Sequence, residues 1–391
     1  MAILDRNLPD IVVIGGGITG AAAAFSLAEQ GHSVTLIERR GIAAMASGWT
    51  LGGVRQSGRD AAELPLARAA VAVWPTLNER LGHEVDYRRG GNLRLARNEA
   101  EIGIIRALVE RQGAQGLDLS FLATNAAVRD VAPAISEHVL AASFCQSDGH
   151  ADPIKATRAF AEAARRKGAA IREGVAAKAV RVERERVAGV ETSEGFMPAG
   201  VVIVAAGVNT PALLAPLGLD LPLRVTVVHV LQTEPLPHVL DQVFGVANAD
   251  CAGRQEAGGR LRVTTGSRAW TGDAAGWSEQ ALGPSAAEIG RLTELVGQVL
   301  PVLKEAPLHR VWGGLIDLTP DALPVLDAPQ QVTGLVVGAG FSGHGFCLGP
   351  VSGEVLADLA LGRPPRHDLS AFALARFASG ERTPAALSLH G

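Results

Sequence analysis

In this 391-residue chain the clearest chemistry sits in three glycines and one glutamate. Gly15-x-Gly17-x-x-Gly20 follows an apolar, β-branched run, Ile11-Val12-Val13-Ile14, and leads into an alanine-rich stretch. Glu38 closes a second apolar run over 33–37. This order reads as strand, tight turn, helix and strand, the unit that binds a dinucleotide. Gly15 permits the turn, Gly17 lets the backbone approach a pyrophosphate, and Gly20 lets the helix pack closely on the strand. Ile18 and Thr19 lead into the helix, whose N-terminal N–H groups and partial positive charge suit the phosphates. The helix is expected over about residues 21–30, with Gly31 as its C-cap. Glu38 can accept from both ribose hydroxyls and would repel a 2′-phosphate, which disfavours NADP. NAD and FAD both remain open at this point.

A second glycine constellation lies near the other end. Gly334-Leu-Val-Val-Gly338-Ala-Gly340 runs into Phe341-Ser342-Gly343-His344-Gly345-Phe346. A helix is expected over roughly 349–361, closed by Gly362 with Pro364 beyond. A unit this late cannot serve the same phosphates. The positive end of its helix would suit the N1–C2=O edge of a flavin and would stabilise the anionic reduced ring. An NAD enzyme has no use for that arrangement, so FAD is the better reading. His344 then reads as a residue lending its backbone N–H to the flavin carbonyl rather than as a base. The small residues over 41–58, Ser47, Gly52 and Gly53 among them, suit a backbone passing close to a flat ligand. No serine–histidine–aspartate set, no paired carboxylates and no His/Cys cluster with metal spacing is evident. Flavin hydride chemistry requires none of them.

These units must be held by a larger frame. Apolar residues make up 47% of the chain and charged ones 19%, a globular composition, and the length suggests two domains. A net charge of −4 without a basic run excludes a nucleic-acid partner. Residues 1–10 show no secretory signal pattern, and no apolar run approaches the about 20 residues that span a bilayer. Cys145, Cys251 and Cys347 are dispersed and odd in number, which fits a reduced, cytoplasmic protein without disulfides. Helices are expected over 63–81, 99–112, 153–167 (with Asp152 as N-cap) and 285–300. Strands are expected at 91–96, 201–205, 225–230 and 261–265, and 169–171, 178–183 and 186–191 read as a meander. The strand at 201–205 would return to the nucleotide sheet and bring Ala206 and Gly207 to the ligand. The expected fold is α/β plus α+β: a Rossmann-type FAD-binding domain (1–85, 145–215 and 325–391) interleaved with an antiparallel-sheet substrate domain (86–144 and 216–324).

Seven stretches together resemble the glycine oxidase, D-amino-acid oxidase and sarcosine oxidase group of FAD-dependent amine oxidoreductases. They are residues 15–20 with Glu38, Gly52-Gly53-Val54-Arg55, Arg89-Gly90-Gly91-Asn92-Leu93, 148–153, 312–321, 340–346 and 369–377. Within that group the chain is most similar to the β-type subunits of sarcosine, opine, proline and hydroxyproline dehydrogenases. The resemblance implies oxidation of an amino acid or secondary amine of the proline, hydroxyproline, opine or N-alkyl amino acid type. Hydride would pass to flavin N5 and the imine would hydrolyse in water. It also places Arg55 beside the flavin and adds Arg39, Ser47, Val54, Ala176 and Gly314 to the cofactor-lining set. Cys347 stands where monomeric sarcosine oxidases carry a lysine for the substrate carboxylate. Thr264 aligns with their oxygen-activating lysine, which weakens the oxidase reading. Gly313-Gly314, Pro153 and Lys155 stand where relatives attach flavin through cysteine or histidine, so FAD is expected to be non-covalent. Cys347 could face the substrate, Arg268 and His229 could grip a carboxylate, and Trp270 and Trp277 could wall the pocket. The rivals are a true oxidase producing hydrogen peroxide and a flavin subunit inactive without a partner chain. The electron acceptor and the oligomeric state stay open.

Overall fold

The structure, a computed structural model, describes residues 11–378 except residue 275. The signal-peptide reading of residues 1–10 and the tail from residue 379 lie outside the described residues.

Strand β1 (Ile11–Ile14) is buried on both faces. Ile11 and Val13 join the core under the first helix, α1 (Ile18–Glu29), while Val12 and Ile14 join the core on the opposite face. A strand covered on both sides can be apolar throughout, which explains the unbroken run. β1 pairs in parallel with β2 (Val34–Glu38) and with Val201–Val204. The full order is Val325–Asp327, Leu335–Ala339, Val201–Val204, β1, β2, Ala170–Glu173. Only Val325–Asp327 runs antiparallel to its neighbour. Ala170–Glu173 therefore belongs to this sheet and not to the meander, which is Ala177–Glu183, Arg186–Thr192 and Gly195–Pro198.

Helix α1 starts directly after Gly17, three residues earlier than expected. Gly20 lies inside it, and only glycine fits there: a Cβ would sit 2.1 Å from the Gly15 carbonyl oxygen. The late helix likewise begins at Gly345 rather than 349 and runs to Ala360 with Pro350 inside it. It crosses α1 closely: a Cβ at Gly349 would lie 2.6 Å from Ile18 Cγ2, and one at Gly353 2.5 Å from Ala22 Cβ. Both glycines must be helical to make that crossing, and this holds the helix through the proline. The single helix expected over 63–81 is instead Leu64–Val73, a 3₁₀ turn Trp74–Thr76 and Leu77–Leu81. Pro75, which has no N–H to continue the ladder, makes the break.

A second sheet has nine strands. Its order is Arg268–Ala269, Arg224–Thr233, Leu261–Thr265, Cys251–Gln255, Val243–Val246, Asn92–Ala96, Ala141–Cys145, Ser120–Leu122, and Leu308–Leu318 also pairs with Arg224–Thr233. All pairings are antiparallel except Val243–Val246 with Asn92–Ala96. The expected antiparallel sheet thus contains one parallel pair. Helix Ala286–Val299 packs behind it, opened by a capping box between Ser285 and Glu288.

Candidate active site

A cavity of about 400 Å³ runs from the β1–α1 turn, under the segment 44–51, to one face of the nine-stranded sheet. At its first end Gly15 has φ +116°, and a Cβ there would lie 2.2 Å from the Ala205 carbonyl oxygen. A Cβ at Gly17 would meet only Ser47 Oγ, at 3.1 Å, and that hydroxyl accepts from the Ile18 N–H at 3.0 Å. The helix N-terminus thus opens onto a polar group and free space. Glu38 accepts from the Gly16 N–H through Oε2 (2.7 Å) and from the Arg40 N–H through Oε1 (2.8 Å). Each oxygen keeps a lone pair for a ribose hydroxyl. Arg39, which also lines the cavity, has a buried Nη2 without an acceptor. Ala206 and Gly207 line the wall, but Ala176 does not: Ser193 takes both its N–H (3.1 Å) and its carbonyl (2.8 Å). Val175 and Ala177 face inward instead. Space where side chains would stand, free helix N–H groups and an orphaned guanidinium nitrogen fit the ADP half of FAD.

The middle of the cavity is lined by Trp49, Gly53, Gly314, Leu315, Phe341 and Gly343. Gly52 and Val54 lie behind this lining. Gly52 has φ +74° and packs where a Cβ would be 2.3 Å from the Ala151 carbonyl oxygen. Buried Arg254 bolts the same segment to the large sheet, donating to the carbonyls of Leu51 and of Ala151 (3.2 Å). The second glycine loop divides between the cavity and the core behind it. Phe341, Gly343, Gly345 and Phe346 line it, while Gly340, Ser342 and His344 tie the loop down from behind. Gly340 N–H donates to Asp317 Oδ2 (2.8 Å), Ser342 N–H to the Asp317 carbonyl (3.0 Å), and Ser342 Oγ accepts from Thr319 N–H (3.2 Å). Burial pushes the Asp317 carboxyl up to about 6, against the backbone N–H groups that stabilise its anion.

The His344 N–H, expected to serve the flavin carbonyl, is donated to the Phe341 carbonyl (2.8 Å). The N–H groups of Gly345 and Phe346 lie in the first turn of the helix, and both residues line the cavity. The His344 imidazole is buried away from the cavity, with Nδ1 2.9 and 3.0 Å from the Glu63 carboxylate oxygens. Burial pushes this imidazole down to about 4; Arg59 acts the same way and Glu63 against it. It is therefore neutral, and Nδ1–H donates to Glu63. Burial would raise the Glu63 carboxyl, but His344 and Arg59 outweigh it and hold it below its usual range. The sequence gives no sign of Glu63 beyond an acid before a helix. Cys347 also misses the cavity: its thiol donates to the Arg55 carbonyl (3.4 Å), and burial pushes its pKa up to about 11.

The neutral His344 makes an acid transition predictable. Unfolded, the imidazole takes up a proton near 6.5; folded, it resists until about 4. Its contribution is therefore complete above 6.5 and is lost as pH falls from 6.5 to 4, on the order of 3 kcal/mol in all. Denaturant midpoints measured across that window should fall on acidification, and the slope should flatten in His344→Gln. An unchanged slope in the variant would refute the buried neutral histidine.

At the sheet end stand Arg55 and Arg59, with Asn92 and Arg94 on the same sheet face as Val228, Val230, Val243 and Thr264. Arg55 donates through Nη1 to the Ser57 carbonyl (3.1 Å), and Arg59 through Nε to the Arg55 carbonyl (3.2 Å). Arg59 Nη1 is buried with no acceptor. Burial, then repulsion from Arg59 and Arg94, lowers the Arg55 guanidinium well below its ordinary value; burial and Arg59 bring Arg94 to about 10. Buried Asp148 holds the loop, accepting from the N–H groups of Gln56 (2.8 Å) and Ser57 (3.2 Å) and from Ser57 Oγ. Thr264 Oγ1 donates to the His229 carbonyl (2.7 Å).

Arg268 and His229 do not reach the cavity. Glu288 pairs with Arg268 at 2.6 Å and lies 3.6 Å from His229 Nδ1. Trp277 meets Trp49 edge-on at 4.8 Å with Arg40 stacked 3.8 Å above it, so Trp49 and not Trp277 forms the wall. Among the described residues no cluster of three or more His, Cys, Asp or Glu could hold a metal ion. No described helix is long and apolar enough to cross a membrane, and the three cysteines are free and buried.

The profile of the family described as "DAO: FAD dependent oxidoreductase" matches residues 10–359. The 4-methylaminobutanoate oxidase (formaldehyde-forming) of Paenarthrobacter nicotinovorans is 28% identical over 385 residues, 94% of this chain and 45% of that protein. The chain thus spans about half the length of that relative. A D-amino acid dehydrogenase of Xanthobacter autotrophicus is 26% identical over 432 residues, 94% of this chain and 99% of the other. The crystal structure of a glycine oxidase from Bacillus cereus matches with a TM-score of 0.84 at 29% identity, over 94% of this chain and 98% of that one.

Proposed function

Because this chain belongs to the DAO family of FAD-dependent oxidoreductases, we propose that it oxidises an amino acid or secondary amine at FAD bound along the cavity. The observation that carries this reading is the continuity of one cavity from a dinucleotide cradle to a corner of arginines. Bound FAD supplies the hydride acceptor. Arg55, Arg59 and Arg94 bind the substrate carboxylate, and the wall of Val228, Val230 and Val243 holds the carbon skeleton and keeps water away. Arg55 also stabilises negative charge on the reduced ring. Glu63 keeps the proton on His344 Nδ1 and so fixes the loop that presents the Gly345 and Phe346 N–H groups. Proline, hydroxyproline, opine and N-alkyl amino acids all fit this scheme. Thr264 brings no cation to the sheet wall, which supports a dehydrogenase over an oxidase.

The lining supports non-covalent attachment. Among the described residues no cysteine or histidine side chain faces the cavity, and Gly313-Gly314 offers none. Acid precipitation is expected to leave all flavin in the supernatant; a yellow pellet would refute this.

The experiment for the function is an anaerobic absorbance titration of the purified yellow protein against amino acids and N-substituted amino acids. Bleaching by one class is the expected result, with slow recolouring on readmitting air. Fast recolouring with peroxide would make the protein an oxidase. No bleaching by any of them would overturn the reading for the isolated chain.

A further inference from the structure

We propose that the large sheet forms a trough for a bulky apolar group, and that the substrate is an amino acid carrying such a group on its α-carbon or nitrogen rather than glycine, alanine or sarcosine. This rests on the amine-oxidation reading above and names its substrate class. The trough is a single cross-strand row. Arg94 lies opposite Gly245, Gly245 opposite Ala252, Ala252 opposite Thr264, and Thr264 opposite Val230. Residues directly opposite on neighbouring strands share a face, and all five line the cavity. The alternate residues Phe244, Val263 and Leu231 join the core behind. From Gly245 to Val230 the row crosses three strand spacings, about 14 Å.

Between Arg94 and Val230 the row offers a hydrogen, a methyl and a threonine whose hydroxyl donates to the His229 carbonyl (2.7 Å). Gly245 is buried inside the strand Val243–Val246. Its φ is not positive, and a Cβ there would find nothing nearer than Ala252 Cβ at 3.8 Å, an ordinary contact. Neither backbone conformation nor close approach demands glycine, as both do at Gly15. Gly253 on the next strand is the opposite case: its Cβ would lie 2.7 Å from Val263 Cγ1, so packing explains it. A glycine inside a strand weakens it, and buried empty space beside it costs more. What Gly245 retains is room for a ligand. A second observation points to the same ligand. Arg59, 3% exposed, lines this cavity with a buried Nη1 that has no acceptor. Its charge lowers the Arg94 guanidinium, which places it at the Arg94 end of the row. A carboxylate held by Arg59 leaves the rest of an amino acid over Gly245, Ala252 and Thr264. The flanking Arg254 and Arg262 do not line the cavity; they donate to the Ala151 (3.2 Å) and Thr50 (2.8 Å) carbonyls. The floor therefore favours hydrocarbon, by about fourfold for each CH2 buried.

The test uses the FAD-loaded full chain and two readouts. In the first, acetate, butyrate and hexanoate are titrated while the visible flavin spectrum is followed. Hexanoate is expected to bind at least about tenfold more tightly than acetate. Equal affinities would overturn the proposal. In the second, anaerobic reduction by N-butylglycine is compared with sarcosine, and by norleucine with alanine, each amino acid as both enantiomers. The larger member is expected to show a kcat/KM higher by about tenfold or more. No preference for the larger member in either pair would overturn the proposal. Gly245→Val, whose side chain the strand accepts, should bring the hexanoate-to-acetate ratio towards one, and Gly245→Ala should bring it partway. An unchanged ratio in a flavin-loaded Gly245→Val would overturn the proposal. So would loss of flavin from a folded Gly245→Ala, because the cofactor would then cover this position. Tight hexanoate binding without reduction by any amine would support the trough and refute the oxidation reading, so the two failures are distinct.

Discussion

A Gly15→Val protein is expected to purify colourless. At φ +116° an L-residue is strained whatever the surroundings, and here the new Cβ would lie 2.2 Å from the Ala205 carbonyl oxygen and 2.8 Å from its carbon. Both atoms are backbone, in the continuation of the strand next to β1, so neither can swing aside as a side chain could. The β1–α1 turn must open, and the N–H groups facing Ser47 lose their aim. Backbone strain of about 3 kcal/mol transferred to the bound state weakens FAD binding by at least about a hundredfold. The ratio of flavin to protein absorbance and a fluorescence titration of the apoprotein measure it. Gly31→Ala is the matched control: its φ is +85° but a Cβ would meet nothing within 4 Å. It is expected to cost on the order of 1 kcal/mol of stability and to keep its flavin. A yellow Gly15→Val protein would remove this turn from the cofactor site.

The second large effect belongs to Arg55. The reduced ring carries negative charge that the oxidised ring lacks, and a cation in a water-poor cavity stabilises the former selectively. Arg55→Met is expected to lower the two-electron midpoint potential by about 30–60 mV, about 1.4–3 kcal/mol. Anaerobic reduction by substrate should slow by about a hundredfold. Arg55→Lys, which keeps the charge but not the fork, should recover part of both. Because Arg55 stands beside the carboxylate corner, KM alone is ambiguous; the potential is measured without substrate and separates the two roles. An unchanged potential in Arg55→Met would place the guanidinium away from the ring.

What could be read from the chain was what backbone geometry demands. Gly15, Gly20, Gly340 and Gly343 had to be glycine for close approach or positive φ, and such needs leave a mark in one dimension. Side-chain direction left weaker marks. Asn92-Leu93-Arg94-Leu95-Ala96 alternates like a strand with one wet face, which would put Arg94 in solvent. All five residues are buried because the second face closes over the cavity. Period also explains the near misses. A one-residue step turns a helical side chain by about 100° and a strand side chain to the other face. Phe346 thus lines the cavity while Cys347 points under Arg55, and Ala176 faces away between Val175 and Ala177. Glu63 and His344 meet across 281 residues, a pairing no local pattern encodes.

The crossing of α1 by the helix Gly345–Ala360 also bears on how the protein is born. Strand Leu335–Ala339 must seat beside Val201–Val204, and that helix on α1, before the second glycine loop can take shape. During synthesis the first glycine turn leaves the ribosome early and waits for nearly the whole chain. Contacts of such sequence separation close late and slowly. The face of α1 that this helix covers is therefore completed only by the last part of the chain to be made.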